Sequence, residues 1–152
     1  MILTAKTAYD ADLFGALLAD AAAHDGQFMQ RLQSGWLDGT KRFDRVGEVL
    51  IGAFIDTALV GVGSITYDPY APSPELGRIR HFYVMTAVRR QGVGRAILRE
   101  LVTHGRAHFS RLRLLTNNPV AALMYEAGGF QARALDGQTH ELMFQTSSTS
   151  RP

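Results

Sequence analysis

Hydrophobic residues recur with two different spacings along the chain, and each spacing predicts a different kind of element. Apolar positions three and four apart predict helices, whereas β-rich runs bounded by turn residues predict strands. In the first half, the pattern predicts strands at residues 2–7, 48–55 and 58–67 and helices at residues 10–23 and about 27–37. The last two strands lie on either side of Asp56 and Thr57 and are predicted to form a hairpin.

In the second half, strands and helices alternate. Strands are predicted at residues 78–84 and 111–116, with one or two more within residues 130–144, and helices at about residues 92–108 and at 119–127. Residues 68–74 contain three prolines and predict a break between the halves. A hairpin followed by strand–helix alternation predicts an α/β (α+β) fold with a mixed sheet and helices on both faces.

Composition and length narrow the class of protein. The 152 residues are 46% hydrophobic, which suits one globular domain, predicted over residues 1–145, with a polar and disordered tail at residues 146–152. The absence of cysteine excludes disulfides and thiolate metal sites and is compatible with a reducing compartment, so we expect a cytoplasmic protein. The apolar stretch at residues 11–23 contains Asp12 and Asp20, which argues against a membrane span.

The net charge is +2, but the charged residues are unevenly distributed along the chain. Residues 78–113 contain nine arginines and one acid, Glu100, whereas the first forty residues contain five aspartates against Lys6 and Arg31. Guanidinium groups match oxyanions well, so this asymmetry predicts a polyanionic ligand near the middle of the chain and mildly favours a cationic one near the start.

A glycine-containing turn joins the predicted strand at residues 78–84 to the next helix. It reads RRQGVG, with Gly92 and Gly94 where a bulky phosphate could approach the backbone. Backbone N–H groups at a helix start are unpaired and carry the positive end of the helix dipole, so the turn predicts a phosphate site. The spacing is neither that of a dinucleotide fold nor that of a nucleotide triphosphate loop, so NAD and ATP are not expected. Glycines that serve only tight helix packing are the alternative.

The second motif, NNPVAALMYEAGGF, covers residues 117–130. Asn118 before Pro119 predicts a helix cap with proline in the first turn. Ala121 and Tyr125 are four residues apart and share a helix face, so a small residue leaves space beside a phenol. This pair predicts the side of a ligand slot.

Together the two motifs resemble the GNAT superfamily of acyl-coenzyme-A-dependent N-acetyltransferases. The Q/R-x-x-G-x-G/A signature of the superfamily falls on Arg89, Gly92 and Gly94, with Val84 at the usual strand end. The later pattern of the superfamily falls on Asn118, Ala121, Tyr125, Gly129 and Phe130. The resemblance implies a GNAT-like fold, with a central, mostly antiparallel mixed sheet in which parallel strands 4 and 5 splay apart.

The resemblance also implies an activity: transfer of an acetyl group from acetyl-CoA to a primary amine by direct attack in a ternary complex, without a metal. The acceptor would be a small molecule or a peptide, and a homodimer is common among relatives. Tyr125 would protonate the departing thiolate, and the Val84 N–H would polarise the thioester carbonyl. The implied coenzyme-binding residues are Phe82, Tyr83, Val84, Arg89, Arg90, Gln91, Gly92, Val93, Gly94, Arg95, Asn118, Ala121 and Tyr125.

The base that deprotonates the amine is not evident. Many relatives place a carboxylate six residues before the valine, where this chain has Arg78. His81 could titrate near neutrality, and Glu48 or Glu75 could act through water. Alternatively, Arg78 and Arg80 could recognise an anionic part of the acceptor.

Other readings remain open at this stage. A coenzyme sensor without catalysis would explain Arg78, and the arginines could bind nucleic acid, although no recognition signature is present and we expect none bound. His104 and His108 could face one metal ion, but no third ligand is evident and no metal is expected. The acceptor pocket of relatives lies in the region of Phe28, Met29 and Trp36, although Trp36 is more readily a core anchor.

Overall fold

The computed structural model describes residues 1–24, 29–71 and 73–144. Within them, four helices and seven strands follow one another along the chain, with a short 3-10 turn at Thr86–Val88 before the third helix. They are β1 (Ile2–Lys6), α1 (Ala11–His24), α2 (Gln30–Asp38), β2 (Val49–Ile55), β3 (Ala58–Tyr67), β4 (Leu76–Val84), α3 (Val93–His108), β5 (Arg111–Leu114), α4 (Pro119–Ala127), β6 (Gln131–Leu135) and β7 (Gln138–Met143).

The strands form one mixed sheet in the order β1-β2-β3-β4-β5-β7-β6. Every neighbouring pair is antiparallel except β4 and β5, which run parallel. The parallel ladder is short, because only residues 76–78 pair with residues 111–113, while β4 continues to Val84. The predicted mixed, mostly antiparallel sheet with splayed fourth and fifth strands is confirmed.

Helices cover both faces of the sheet, as predicted. One apolar cluster joins α1 and α2 to the sheet and includes Phe14, Leu17, Leu32 and Val62. The other lies on the opposite face, where α3 and α4 pack on the sheet through residues such as Ile97 and Tyr125. β4 separates these two clusters and contributes side chains to both.

Element boundaries follow the sequence pattern with a few differences. β5 ends at Leu114 and not at the predicted residue 116, because its last partner on β7 is His140 and the next donor, the Thr116 N–H, bonds the Thr139 side chain. β4 begins at Leu76, two residues early, since Leu76 already pairs with Arg111. The predicted start of the second helix, with Phe28, and the predicted tail lie outside the described residues.

No helix in the described part of the chain is long and apolar enough to cross a bilayer.

Candidate active site

The gap between β4 and β5 exposes one backbone N–H of β4. The Met85 N–H donates to the Val60 carbonyl at 2.9 Å, and Val84 lies opposite Gly61 in the antiparallel ladder. Hydrogen-bonding directions alternate along such a ladder, so the Val84 N–H points away from β3 and into the gap. The Val84 carbonyl accepts a hydrogen bond from Nε of Arg89 at 2.9 Å, which fastens the following turn to the strand end.

A β-bulge at His81 redirects the side chains of β4. The register shifts between Val62 and Ser64 on β3, and His81 has a φ of 53°, a backbone conformation that few residues with a side chain adopt. As a result, Ile79 and Phe82 both face α3, while His81 packs edge-on against Phe43 on the other face. The bulge thus lets one strand serve two separate sites.

The turn after β4 leads into α3, and no side chain in the described part of the chain caps the N-terminus of this helix. Gly92, the N-cap of α3, has a φ of 89°. The first intrahelical bond runs from the Ala96 N–H to the Gly92 carbonyl at 3.0 Å, so the N–H groups of Val93, Gly94 and Arg95 have no partner inside the helix. These donors and the helix dipole form a positive concave end that suits a phosphate.

Gly94 has a packing role as well. A Cβ on Gly94 would lie 2.9 Å from Sδ of Met124 on α4 and 3.6 Å from Cγ2 of Val84. The missing side chain therefore lets α3, α4 and the end of β4 meet closely. The two glycines therefore have different roles: Gly92 adopts the left-handed conformation that the turn needs, and Gly94 allows the close packing of α3 on α4.

Helix α4 brings Tyr125 to the end of β4. Asn118 Oδ1 accepts hydrogen bonds from the N–H groups of Val120 and Ala121 at 2.9 and 3.2 Å, so the predicted cap forms. The Tyr125 ring is 5.7 Å from the Phe82 ring, and its hydroxyl has no hydrogen bond to any residue that the structure describes. Burial raises the pKa of the Tyr125 phenol, so the hydroxyl keeps its proton at neutral pH.

The structure brings together most of the residues predicted to hold the coenzyme. The strand end, the glycine turn and α4 meet at Val84, Gly94 and Tyr125, and Ala121 packs beside them. Tyr83 differs, because its side chain lies on the α1–α2 face and its hydroxyl donates to Asp20 at 2.6 Å. Tyr83 can offer the gap only its backbone. Arg90, Gln91 and Arg95 are exposed on and beside the turn.

A second concavity, of about 660 Å³, lies on the α1–α2 face and is called here the acceptor cleft. It lies between the segment that follows α2 and the ends of β3 and β4. Among relatives, acceptor specificity lies in the amino-terminal helices and in the loop that corresponds to residues 68–74, and part of this loop does line the cleft. Sequence reasoning did not assign Lys41 or Thr66 to it, because the distance along the chain hides their convergence. Its lining residues include Lys41, Phe43, Arg45, Glu48, Thr66, Asp68 and Arg80.

The three candidate bases differ in their surroundings. The expectation that His81 could titrate near neutrality is wrong. Burial and the nearby charges of Arg80, Lys41 and Arg31 lower its pKa to about 3. Glu75 lies outside the acceptor cleft and accepts a hydrogen bond from the Ser110 hydroxyl. Glu48 lines the cleft, and its Oε2 accepts the Tyr67 N–H at 3.1 Å.

Arg78 does not face an acceptor. It is 6% exposed and donates to Oδ2 of Asp68 at 3.2 Å and to the Gly137 carbonyl at 2.8 Å. Arg113, its register partner on β5, also donates to Asp68 Oδ2. Burial alone would raise the pKa of Asp68, but the hydrogen bonds from Arg113 and the Tyr70 N–H and the charge of Arg78 lower it.

The remaining candidates take structural roles. His104 Nε2 lies 3.0 Å from the Gly47 carbonyl, and no group of three or more metal-binding side chains occurs in residues 1–24, 29–71 and 73–144. Met29 is a core residue of the α1–α2 face and is 1% exposed. Trp36 is only half-buried, beneath the guanidinium of Arg42 at 5.1 Å, so it is not a core anchor.

Comparison with known proteins gives the class. Residues 14–130 match the family described as Acetyltransferase (GNAT) family, which is more than half of the chain. The chain therefore belongs to the GNAT acetyltransferase family.

Several solved structures share the fold of this chain. A protein from Exiguobacterium sp. 255-15 assigned as an acetyltransferase is 24% identical, with a TM-score of 0.81 over 94% of this chain and 93% of that one. The PaiA N-acetyltransferase from Thermoplasma acidophilum, solved in complex with coenzyme A, is 15% identical, with a TM-score of 0.66 over 95% and 99%. The ribosomal-protein-alanine N-acetyltransferase from Brucella melitensis is 21% identical, with a TM-score of 0.68 over 93% and 96%. No curated protein sequence matches the chain.

Proposed function

We propose that this protein transfers the acetyl group of acetyl-CoA to a primary amine by direct attack in a ternary complex. The observation that carries the proposal is the Val84 N–H, which points into the gap between β4 and β5 beside the buried Tyr125. Such a fixed backbone donor can stabilise the charge that develops on a carbonyl oxygen during acyl transfer. The family membership and the coenzyme A complex of a structural neighbour support the same reading.

The residues around the gap fit a diphosphate and its thioester arm. The uncapped N–H groups of Val93, Gly94 and Arg95 and the guanidinium of Arg90 would hold the diphosphate, and the free side of β4 at Phe82 to Val84 would hold the arm. The coenzyme supplies the activated acetyl group. Arg89 contributes mainly by tying the turn to Val84, because its Nε is used in that bond.

Tyr125 would donate a hydrogen bond to the departing sulfur. A thiol is more acidic than a phenol, and burial widens the difference by raising the pKa of Tyr125. Full proton transfer to the thiolate is therefore uphill, and the hydroxyl acts chiefly as a donor. Its contribution to the rate should be modest for a general acid.

Glu48 is the candidate base, acting through water, because it is the one of the three predicted bases whose carboxylate lines the acceptor cleft. His81 has too low a pKa to keep a proton taken from an ammonium group.

Two measurements test the proposal. Calorimetry should detect acetyl-CoA binding, and release of free thiol should depend on an added primary amine. Tyr125→Phe should lower kcat by roughly 10- to 1000-fold, towards the lower end, with coenzyme affinity retained. Tyr9→Phe is the matched control, because it removes a hydroxyl that bonds Gln33 on the α1 side.

Each negative result has a defined meaning. No coenzyme binding at millimolar concentration would refute the proposal, and wild-type turnover in Tyr125→Phe would remove Tyr125 from the mechanism. Tight coenzyme binding without thiol release for any amine would favour a non-catalytic acyl-CoA sensor. That alternative is favoured by one observation, the buried Arg78 at the position of the usual carboxylate.

A further inference from the structure

Two half-buried cations of the acceptor cleft form no ion pair with any residue that the structure describes. Arg80 and Lys41 both line the cleft and are half-buried. Neither side chain makes an ion pair or a hydrogen bond with a residue in the described ranges. Half-buried charges normally find a partner, because removing a charge from water is costly. The pair is therefore available to bind an anion.

Lys41 is held at the cleft by a close contact with α2. Its N–H donates to the Gly35 carbonyl at 2.9 Å, after Gly39 ends the helix with a φ of 84°. A Cβ on Gly35 would lie 2.7 Å from Cγ and Cδ of Lys41, so the lysine stem occupies the space that the glycine leaves. The ammonium group is thus positioned by packing of its stem, although it forms no ion pair within the described part of the chain.

The backbone of Arg80 is held in place by its pairing in the sheet. It lies opposite Ser64 in the ladder, and the Ser64 hydroxyl donates to the Arg80 carbonyl at 2.7 Å. The bulge begins at the next residue, so the direction of the Arg80 side chain is set by the same feature that orients β4. The two cations reach the cleft from different elements and converge there.

The electrostatic surroundings agree with this geometry. Burial and the charges of Arg80 and Arg31 lower the pKa of Lys41, against the opposite effect of Asp38. Burial and the charges of Arg78 and Arg31 lower the pKa of Arg80, against the opposite effects of Tyr70 and Asp68. The excess of positive charge also reaches the buried His81, whose Nε2 has no hydrogen-bond partner.

The cleft also contains carboxylates, which narrows the chemistry of the ligand. Glu48 and Asp68 line the same concavity as the two cations. The charge of Asp68 is already compensated by Arg78 and Arg113, which leaves Glu48 as the carboxylate available to a ligand. A dianionic phosphate would be repelled by Glu48, whereas a molecule that carries both an ammonium and a carboxylate would match Glu48 and the cation pair. Arg80 and Phe82 are two residues apart on β4, about 7 Å along a strand, so a compact molecule can span the distance between the cation pair and the gap.

We propose that Arg80 and Lys41 bind the carboxylate of the acceptor, so that the acceptor is an amine bearing a carboxylate in the same molecule, as in an amino acid. This inference rests on the proposed acetyltransferase function. It reverses the expectation of a cationic acceptor drawn from the acidic first forty residues. Four aspartates of that segment lie in the described ranges, and none of them lines the cleft. Two of the four, Asp20 and Asp38, are engaged with Tyr83, Thr86 and Thr40.

The test compares matched acceptors. Thiol release from acetyl-CoA is measured with the twenty L-amino acids and with their C-terminal carboxamides, which keep the amine and remove the negative charge. For the preferred amino acids, the wild type should show a kcat/KM about 10- to 100-fold higher for the acid than for the amide, mainly through KM. In Arg80→Gln and in Lys41→Gln this ratio should fall to within about threefold, with acetyl-CoA affinity unchanged in calorimetry.

Arg42→Gln is the matched control, because it removes a neighbouring guanidinium that stacks on Trp36 and does not line the cleft. It should keep the wild-type ratio. Arg80→Lys should restore part of it, since the charge returns without the planar fork.

The outcomes separate this inference from the proposed function. Coenzyme binding with amides used as well as acids, a preference for uncharged or phosphorylated amines, or an unchanged ratio in Arg80→Gln would each overturn the carboxylate site alone. Absence of coenzyme binding in the wild type would overturn the proposed function and this inference with it.

Discussion

Arg78 and Arg80 lie two residues apart on β4, and each forms a pair with a cation from another segment, Arg113 on β5 and Lys41 after α2. The two pairs differ in one respect. Arg78 and Arg113 share a carboxylate, Asp68, whose side chain is fully buried. Arg80 and Lys41 share none among the residues that the structure describes. The first pair is satisfied inside the protein, whereas the second retains charge at the wall of a cleft of about 660 Å³.

The difference separates a structural ion-pair site from the proposed binding site. Arg78 and Arg113 form the last register pair before β4 and β5 diverge, so Asp68 holds the two strands together where the gap begins. Without it, two guanidinium groups would face each other with their charges uncompensated. At the second pair, no described residue supplies a carboxylate, and the proposed acceptor would supply it.

The largest expected effect follows from removing the shared carboxylate. Asp68→Asn should lower the free energy of unfolding by about 3–5 kcal/mol, because it leaves two buried guanidinium groups without a counter-charge. Urea denaturation at pH 7 measures this change. Asp44→Asn, at an exposed aspartate, is the control and should change stability by less than about 0.5 kcal/mol. A loss below about 1 kcal/mol in Asp68→Asn would contradict the role of this carboxylate in holding β4 to β5.

Sequence alone predicted the parts of the fold that depend on local signals. The limits of α4 follow from Asn118 and Pro119 at its start and from glycines at its end, and those signals act within a few residues. The start of α3 likewise follows from Gly92. The splay of the parallel strands came from the resemblance to a known family, and the full strand order was not predicted, since pairing between distant strands leaves no local mark.

The charge interactions around the acceptor cleft were beyond sequence reasoning for a physical reason. Asp68 lies in a proline-rich segment that reads as a surface break, yet it meets arginines ten and forty-five residues away. His81 reads as an ordinary strand residue, and its low pKa depends on burial and on cations from α2 and from the segment after it. Long-range electrostatics of this kind becomes visible only when the chain is folded.

The next largest effect concerns Glu48, the proposed base, whose carboxylate lines the cleft but forms no ion pair with Arg80 or Lys41. Glu48→Gln should lower kcat by about 100-fold, because an amide cannot accept the proton of the amine. Stability should change little, since the amide oxygen can still accept the Tyr67 N–H. Steady-state kinetics at pH 7 and urea denaturation measure the two effects, and Glu75→Gln is the matched control outside the cleft. Unchanged kcat in Glu48→Gln would leave the amine to be deprotonated by bulk water or by another group.

A smaller effect has the opposite sign to that of Asp68→Asn. Arg80→Gln should leave the free energy of unfolding unchanged or raise it by up to about 1 kcal/mol, because it relieves repulsion and breaks no ion pair. Thermal and urea denaturation in low salt measure the change, and added salt should reduce any gain by screening. Destabilisation of Arg80→Gln by more than about 1 kcal/mol would mean that Arg80 has a structural partner, and the two cation pairs would no longer differ in kind.

The smallest effect is a shift in the pKa of His81, which reports the charge of the second pair from inside the protein. Burial is the largest cause of its low pKa, and Arg80, Lys41 and Arg31 add to it, while the Phe43 ring packs on the imidazole without charge. The double variant Arg80→Gln, Lys41→Gln should therefore raise the pKa of His81 from about 3 but leave it below 6.5. The imidazole Cε1–H resonance, followed by NMR as the pH is lowered, should begin to shift at a higher pH in the double variant than in the wild type. Arg42→Gln should titrate like the wild type. An identical titration in the double variant would show that burial alone sets this pKa, and that the cations of the cleft are already neutralised in the free protein.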